Sequence, residues 1–462
     1  MQYVFYDTET TGLDTTFDQI LQFAAIYTDD DFREIDRFEI RCRLLPHVIP
    51  APGALLATRV TPEMLTDPAL RTHHDAMRRI SEVLNRWAPT IFIGYNTLAF
   101  DEPLLRQAFY QTLQPVYLTN TNGNKRGDVL RLAQATTVLA PNAIAVPLNA
   151  KGKPTLKLDM LAPANGFAHE NAHDALADVE ATIFIARLIR ERAPAVWNAV
   201  MPMIDKGEVT SRVLAGEPHC LVDYYMGRSS VRPVIGCGQG SENAAMLGVF
   251  DLTFDPDQVL GLDVEDLVAA MSGRDRSIRI VYANKMPAVV ELDLIPDLNT
   301  AFEVPAAAIY QRAQQITRDG DFKQRVGRAL AQRFPPSEPS EIIEARIYEG
   351  FPSYEDKCRM AAFHDANWLE RSKLIETFDD DRLCEMGRRL IFLEEPAALD
   401  QSHRERLTQW LRNRQFGQEG VAAGRTVADA MNELDKFDEE APDRAEPICA
   451  IRAWLVDYGY ES

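Results

Sequence analysis

The composition of this chain is that of an ordinary globular protein, with 462 residues of which 46% are hydrophobic and 26% are charged. This length exceeds what one hydrophobic core supports, and it predicts about two to three domains. No apolar run of about 18 residues occurs, which predicts no membrane-spanning helix. The N-terminus also lacks the basic and apolar segments that are typical of a signal peptide.

Charge and cysteine usage narrow the class of protein further. The formal net charge of −20 argues against a uniformly basic nucleic-acid-binding surface, although a local groove can be basic on an acidic protein. The cysteines show no C-x-x-C spacing, which favours reduced thiols in the cytoplasm and argues against a zinc site. They are Cys42, Cys220, Cys237, Cys358, Cys384 and Cys449.

The first element of the chain is predicted to be a strand that ends in two carboxylates. The segment from residue 3 to residue 12 opens with bulky residues of high β propensity, and side-chain alternation places Asp7 and Glu9 on the face of Tyr3 and Phe5. Paired acids at the end of an apolar strand are costly unless a cation lies between them, and oxygen ligands favour Mg²⁺ or Mn²⁺. The alternative is a strand end that runs into a polar turn.

The next elements alternate in a way that predicts a mixed α/β sheet rather than a doubly wound fold. Two strands joined by a short turn should be antiparallel neighbours, and a later, very apolar strand should be buried. The predicted strands are 20–27, 35–44 and 90–94, with a helix start at 61–64 and helices over 76–87, 103–113, 128–138 and 172–192.

A third carboxylate, Asp101, follows the buried strand and precedes the next helix. Ligands gather at the carboxyl ends of strands in sheets of this kind, which makes Asp101 a candidate site residue. The alternative is that it serves as a plain N-cap for the helix predicted to begin near Pro103.

The helix over 172–192 carries two more candidates, His173 and Asp178. Asp178 falls on the apolar face of this helix, where a carboxylate is rarely unpaired, so a metal ligand explains it better than a solvated acid. His173 lies five residues earlier and would act from the loop or first turn entering the helix, with a pKa suited to proton abstraction; the alternative is a surface or capping histidine. The apolar face consists of Ala175, Asp178, Val179, Thr182, Ile183 and Ala186.

The order Asp-x-Glu, Asp, His-x4-Asp resembles the DEDDh exonucleases of the proofreading superfamily. The match falls on Asp7, Glu9, Asp101, His173 and Asp178, and the segment Gly94-Tyr95-Asn96 with Phe100-Asp101 is similar to that family's second motif. The resemblance implies an RNase H-like nuclease domain.

Further segments resemble bacterial exonuclease I, a single-strand-specific 3'→5' DNA exonuclease family. They are residues 22–26, 52–54, 164–166, 171–175 and 281–289. The resemblance implies a nuclease domain over 1–198, an SH3-like β-barrel domain over 199–347 and an α-helical domain over 348–462, together forming a clamp over the strand. The first motif, over residues 7–12, is as similar to that of a proofreading subunit as to that of exonuclease I. This departure concerns the assignment to a subfamily and leaves the expected chemistry unchanged.

The same resemblance implies a mechanism. Asp7, Glu9, Asp101 and Asp178 would hold two Mg²⁺ ions, which Mn²⁺ could replace, and His173 would take the proton from the attacking water. The products would be 5'-mononucleotides released in DNA repair and recombination. The substrate-binding residues would be Thr10, Thr11, Asn96 and Phe100. The enzyme would be a monomer that the acidic tail of single-stranded DNA-binding protein recruits.

The remaining chain agrees with this interpretation, and two alternatives stay open. Short β-type runs at 219–226, 231–238 and 244–250, with Gly236, Gly238 and Gly240 at turns, indicate a small barrel, and a proline-rich linker over 333–340 precedes a helical region. A basic stretch, Arg404 to Arg414, is either a DNA-phosphate contact or a solvated helix face. The alternatives for function are a DEDDh exoribonuclease that trims RNA 3' ends, and a non-catalytic single-strand-binding factor.

Overall fold

The structure, a computed structural model, describes residues 2–168, 174–225, 227–273, 275–334, 338–417, 423–440 and 445–461. The elements of the N-terminal region are β1 (Tyr3–Thr10), β2 (Ile20–Thr28), β3 (Glu34–Arg41), α1 (Pro52–Thr58), α2 (Pro62–Thr66), α3 (His73–Trp87), β4 (Ile91–Gly94), α4 (Asp101–Gln111), β5 (Lys125–Asp128), α5 (Val129–Leu139), α6 (Leu158–Ala164), α7 (Ala175–Arg192) and α8 (Pro194–Val200). All the strands and helices predicted in this region are present, with ends shifted by a few residues.

The first sheet has the strand order β3-β2-β1-β4-β5 among the described residues. Strands β1, β2 and β3 pair in antiparallel fashion, while β1–β4 and β4–β5 pair in parallel, so the predicted mixed sheet is confirmed. Strand β5 was not predicted, because the sequence Lys-Arg-Gly-Asp contains no β-branched or aromatic residue that would indicate a strand.

The central strand β1 is buried on both faces. Tyr3 and Phe5 belong to the hydrophobic core beneath α7, whereas Val4 and Tyr6 belong to a second core on the opposite face, formed with α3 and α4. The alternation of side chains therefore directs Asp7 towards α7 and Thr8 towards α4. The structure thus has Tyr3, Phe5, Asp7 and Glu9 on one face of β1, as predicted.

The middle region contains a second sheet, of strand order β10-β6-β7-β8-β9, in which every pairing is antiparallel. The three predicted strands are confirmed as β6, β7 and β8. The elements are α9 (Lys206–Leu214), β6 (His219–Tyr225), β7 (Arg228–Gln239), β8 (Met246–Asp251), α10 (Asp257–Leu260), α11 (Val264–Ala270), β9 (Ile278–Tyr282), β10 (Val289–Glu291), α12 (Leu298–Phe302), α13 (Ala306–Arg318) and α14 (Gly320–Arg333).

The prediction that Gly236 and Gly238 lie at turns is wrong. Both lie inside β7, where the register shifts between them. A Cβ atom on Gly236 would lie 2.0 Å from the carbonyl oxygen of Val213, and one on Gly238 would lie 2.9 Å from that of Lys323. These glycines therefore let the backbones of α9 and α14 approach the sheet closely.

The C-terminal region is helical, as predicted, and it packs on the N-terminal region. Its helices are α15 (Tyr354–Asp365), α16 (Trp368–Leu374), α17 (Asp381–Glu394), α18 (Gln401–Phe416), α19 (Val427–Glu440) and α20 (Ala445–Glu461), after a 3₁₀ helix at Ile343–Tyr348. Helices α19 and α20 pack against α1, and α17 packs against α4. No helix in the described part of the chain is long and apolar enough to cross a membrane.

Candidate active site

Three of the predicted carboxylates meet where β1 and α7 pack together. Asp7 and Glu9 come from β1, Asp178 comes from the first turn of α7, and one oxygen of each lies within 4.8 Å of the others. A set of three carboxylates suits a hard divalent cation, because such ions prefer oxygen ligands. The donor set therefore fits a metal ion, as the sequence predicted.

Side chains on β2 and β3 fix the start of α7 and hence the position of Asp178. Asp174 caps the helix by accepting the backbone N–H groups of Leu176 and Ala177. The carboxylate of Asp174 also accepts a hydrogen bond from Gln22 Nε2 at 3.2 Å and an ion-paired hydrogen bond from Arg41 Nη2 at 2.7 Å. Since Gln22 lies opposite Glu9 in the β1–β2 pairing, the helix start is tied directly to the strand that carries the site.

Asp101 lies beside this group on the opposite face of β1. It is buried, and its Oδ1 accepts a 2.6 Å hydrogen bond from the hydroxyl of Thr8. It is the first residue of α4, and Phe100 occupies the N-cap position, so the N-cap alternative for Asp101 is wrong. Burial raises the pKa of Asp101 to about 7, against the hydrogen bond from Thr8.

The carboxylates of the site destabilise one another when no cation is present. Burial, followed by the charges of Asp101, Asp178 and Glu9, raises the pKa of Asp7 well above its usual value. Burial and then the charges of Asp178, Asp101 and Asp174 raise the pKa of Glu9 to about 8, against the opposing charge of Arg41. Concentrated like charges of this kind favour the binding of a divalent cation.

The loop between β4 and α4, which leads to Asp101, is held in place by Asp128, a residue that the sequence analysis did not identify. Asp128 accepts backbone N–H groups from Asn96 at 2.9 Å and from Leu98 at 3.2 Å. Asn96 has a left-handed backbone (φ 64°), and a Cβ atom on Gly94 would lie 2.5 Å from the carbonyl oxygen of Tyr6. The loop is thus a tight turn against β1, and Asp128 fixes its shape.

Two residues of the middle region, Lys285 and Met286, also contact this loop and its support. Lys285 Nζ donates a 2.8 Å hydrogen bond to the carbonyl oxygen of Leu98, and the sulfur of Met286 lies 3.2 Å from the backbone nitrogen of Asp128. Burial, and then the charges of Arg126 and Arg106, lower the pKa of Lys285. The segment 281–289 was noted in the sequence for its resemblance, but no sequence signal connected Lys285 with Leu98.

The four predicted substrate-binding residues occupy different environments. Asn96 is exposed and Phe100 is partly buried against the second core. The hydroxyl of Thr10 donates to the carbonyl oxygen of Gly12, and the hydroxyl of Thr11 donates to Asp18. His173 lies outside the described residues, directly before the helix cap Asp174 in the sequence.

The predicted basic stretch in α18 does not form one surface. Arg404 and Arg412 are exposed, and Arg406 is exposed but paired with Glu385 at 2.9 Å. Arg414 is buried, with its guanidinium 4.8 Å from the ring centroid of Phe17. Contact of this stretch with DNA stays a prediction for the exposed members.

Comparisons with known proteins show which proteins this chain is similar to. Residues 4–186 match a family model described as Exonuclease, and residues 341–461 match one described as Exonuclease I C-terminal domain. The chain is 28% identical to exodeoxyribonuclease I of Haemophilus influenzae over 406 residues, which are 83% of this chain and 84% of that protein.

Two solved structures are similar over 100% of this chain and 99% of their own. Exonuclease I from Methylocaldum szegediense has a TM-score of 0.87 and 27% identity. The zinc-ion-bound form of the E. coli ExoI–ssDNA complex has a TM-score of 0.86 and 25% identity.

Proposed function

The chain belongs to the exonuclease I family, and we propose that it is a 3'→5' exodeoxyribonuclease that degrades single-stranded DNA to 5'-mononucleotides. The observation that carries this proposal is the meeting of Asp7, Glu9 and Asp178 within 4.8 Å at the junction of β1 and α7. The zinc-bound complex of a similar protein with single-stranded DNA supports both the substrate class and the dependence on a divalent metal.

We assign the metal site to two Mg²⁺ ions, which Mn²⁺ is able to replace. Asp7, Glu9 and Asp178 would hold them, with Asp101 supplying a further carboxylate from α4. When bound, the ions would stabilise the charge that develops on the attacking and leaving oxygens and would make water more acidic. The raised pKa values of Asp7 and Glu9 support this assignment, because a bound dication would remove the cost of ionising both.

The residues of the chain have separate tasks in the hydrolysis that we propose. His173 accepts the proton of the water that attacks the terminal phosphodiester, for which its ordinary pKa of about 6.5 is suitable. Thr8 orients Asp101 through its hydroxyl, and Asp128 and Lys285 keep the preceding loop in place. The new bond joins the water oxygen to phosphorus, and the bond that breaks joins phosphorus to the 3'-oxygen of the preceding nucleotide. The released nucleotide therefore keeps the phosphate at its 5' position, and the leaving 3'-oxygen gains a proton from water to become the new 3'-hydroxyl of the shortened strand.

We also propose the substrate contacts of the terminal nucleotide. The exposed side chain of Asn96 and the partly exposed ring of Phe100 are available to a bound strand. Thr10 and Thr11 are buried, and their hydroxyls are used internally, so their part in substrate binding would be to shape the turn after Glu9.

The remaining features of the proposal rest on the family resemblance. The antiparallel sheet over β6–β10 would be an SH3-like barrel within a domain spanning 199–347, between the nuclease domain over 1–198 and the helical domain over 348–462. A monomeric enzyme would act in DNA repair and recombination and would bind the acidic tail of single-stranded DNA-binding protein. We also propose a cytoplasmic location, which the six free cysteines of the described chain support.

The experiment that tests the function compares Asp178→Asn with Glu180→Gln, a matched control two residues along the same helix. Glu180 is exposed and lies 3.5 Å from Arg37, away from the carboxylate group. With Mg²⁺ and labelled single-stranded DNA, we expect Asp178→Asn to lose at least about a hundredfold in rate, since one of the charges that hold the ion is removed. Equal rates for the two variants would refute the assignment of the site.

A further inference from the structure

A buried carboxylate, Asp18, holds the turn that follows Glu9 at the end of β1. The turn spans residues 10–18 and begins with a shift of the β1–β2 register directly after Glu9. Asp18 is 8% exposed, and its two oxygens accept hydrogen bonds from the hydroxyl of Thr11 at 2.8 Å and from the backbone N–H of Asp14 at 2.8 Å. One side chain at the end of the turn is therefore bonded to its start and to its middle.

The backbone of Thr11 fixes the path of the chain two residues beyond Glu9. Its N–H donates to the carbonyl oxygen of Gln19 at 2.9 Å, and its carbonyl oxygen accepts the N–H of Ala51 at 2.7 Å. The hydroxyl of Thr11, which donates to Asp18, also accepts the N–H of Gln19 at 2.8 Å. A displacement of Asp18 would therefore reach Glu9 through Thr11 and one further residue of backbone.

The cation that the structure pairs with Asp18 comes from the C-terminal region. Arg425 lies two residues before α19, and its Nη1 lies 3.5 Å from Oδ1 of Asp18. Burial raises the pKa of Asp18, against the hydrogen bonds from Asp14 and Thr11 and the charge of Arg425. A buried carboxylate is costly to ionise unless a cation lies near it. Arg425 therefore stabilises the ionised form of Asp18, whose oxygens are hydrogen-bond acceptors alone.

Further contacts pack the segment that carries Arg425 against the turn. Gly424 has a left-handed backbone (φ 84°), and a Cβ atom on it would lie 2.9 Å from the Cβ atom of Phe17. The guanidinium of Arg414 lies 4.8 Å from the ring centroid of Phe17 and donates a hydrogen bond to the carbonyl oxygen of Ala423. The segment before α19 thus contacts the turn through apolar and backbone groups as well as through the ion pair.

Helix α19 contacts the N-terminal region at a second point. Glu433 Oε1 accepts the N–H of Gly53, in the first turn of α1, at 2.9 Å, and Glu433 Oε2 lies 3.8 Å from Nε of Arg425. Arg425 therefore lies between two carboxylates, Asp18 of the turn and Glu433 of the helix. This arrangement restricts the positions that its guanidinium can take.

We infer that Arg425 is a positioning residue for the metal site, acting through Asp18 to hold the turn that follows Glu9. Its guanidinium pairs with Asp18 and Glu433 and belongs to no metal-binding carboxylate group. A ligand binds its ion well only when the supporting residues hold it within about 0.5 Å of the required position. The C-terminal region would thereby set the affinity of the site for its metal. This inference rests on the proposed function for the assignment of Glu9 as a metal ligand.

The test compares Arg425→Met with Arg452→Met by calorimetric titration of Mn²⁺ into the full-length protein without DNA. Methionine keeps most of the length of the side chain and removes its charge. Arg452 is the matched control, because it forms a 2.8 Å ion pair with Asp435 between α20 and α19. We expect Arg425→Met to weaken Mn²⁺ binding about tenfold, as the loss of a residue that orients a ligand does, and Arg452→Met to leave it unchanged. Arg425→Lys should recover part of the affinity.

The double variant separates action through Asp18 from any other effect of the arginine. In an Asp18→Asn background, Arg425→Met should change the Mn²⁺ affinity much less than tenfold, because the two residues act as a unit. Unchanged Mn²⁺ binding by Arg425→Met, or a tenfold loss that persists in the Asp18→Asn background, would overturn the inference.

Thermal midpoints in EDTA distinguish positioning from a merely structural contact. A midpoint that falls in Arg425→Met but not in Arg452→Met, with the Mn²⁺ affinity intact, would also overturn the inference. Arg425→Gln, which is uncharged but keeps a hydrogen-bond donor, takes the place of the methionine variant if that variant does not fold. Failure of the proposed function has a different signature, since the wild-type protein would then bind Mn²⁺ yet release no nucleotides from single-stranded DNA.

Discussion

The carboxylates that suit this protein to metal binding should make its metal-free form less stable than a variant that lacks one of them. We expect Glu9→Gln to stabilise the protein in EDTA while it abolishes the nuclease activity. Burial, followed by the charges of Asp178 and Asp101, raises the pKa of Glu9 from 4.5 to about 8. The ionised form of Glu9 is therefore unfavourable in the folded protein unless a cation accompanies it.

The pKa shift of Glu9 gives the size and the sign of the effect. Because the folded state binds the proton of Glu9 more tightly than the unfolded state does, the contribution of Glu9 to stability is most favourable below pH 4.5 and becomes less favourable as the pH rises towards 8. At pH 7 the difference from the unfolded pKa corresponds to about 3 kcal/mol of lost stability. Glutamine carries no charge, so the variant should avoid this cost and show a flatter dependence of stability on pH.

Urea unfolding in EDTA at pH 5 and at pH 7.5 measures the effect directly. We expect the free energy of unfolding of Glu9→Gln to exceed that of the wild type by an amount that increases from pH 5 to pH 7.5, because the other titrating groups are common to both proteins. Adding Mg²⁺ should reverse the order, because ion binding stabilises the wild-type protein alone. Glu180→Gln, exposed on α7, provides the control and should behave as the wild type does. A Glu9→Gln protein that is less stable than the wild type in EDTA at pH 7.5 would refute the reasoning.

Three further predictions concern residues around the site. Lys285→Met should lower the single-turnover rate of DNA cleavage several-fold with little change in the thermal midpoint, because the carbonyl oxygen of Leu98 in the loop before Asp101 loses its hydrogen-bond donor. Lys285→Arg should recover much of the rate. An unchanged rate in Lys285→Met would contradict the role of Lys285 in holding this loop. Glu102→Gln should lower the free energy of unfolding by about 3–5 kcal/mol, measured in urea, because the buried carboxylate of Glu102 is the counter-charge of two partly buried arginines, Arg106 and Arg126. Burial lowers the pKa of His73 to about 4, so the contribution of neutral His73 to stability should be complete above pH 6.5 and should decrease by about 3 kcal/mol as the pH falls towards 4. A pH dependence of stability that is unaltered in His73→Asn would contradict this.

Much of the site was predictable because its signals are local in the sequence. Two-residue periodicity in β1 places Asp7 and Glu9 on one face, and helical periodicity in α7 places Asp178 among small apolar residues that pack on the sheet. The two periodicities meet in space because α7 covers β1. The mixed sheet followed from the order of strands and helices in the same way.

The supporting residues were not predictable, because their partners are distant in the chain. Asp128 binds the backbone of a loop 30 residues away, and Lys285 binds that loop from 187 residues away. A backbone carbonyl or N–H group has no sequence signature as a partner, so neither contact leaves a pattern. The glycines of β7 were misinterpreted for a similar reason, since their need for close backbone approach comes from the helices that pack on the sheet.

The measurement that tests the central claim most directly is digestion of labelled single-stranded DNA, RNA and duplex DNA of equal sequence with Mg²⁺, beside a His173→Ala control. We predict rapid release of 5'-mononucleotides from the 3' end of single-stranded DNA alone, and loss of that activity in the control. Faster degradation of RNA, or binding of single-stranded DNA without cleavage in either Mg²⁺ or Mn²⁺, would contradict the proposed function.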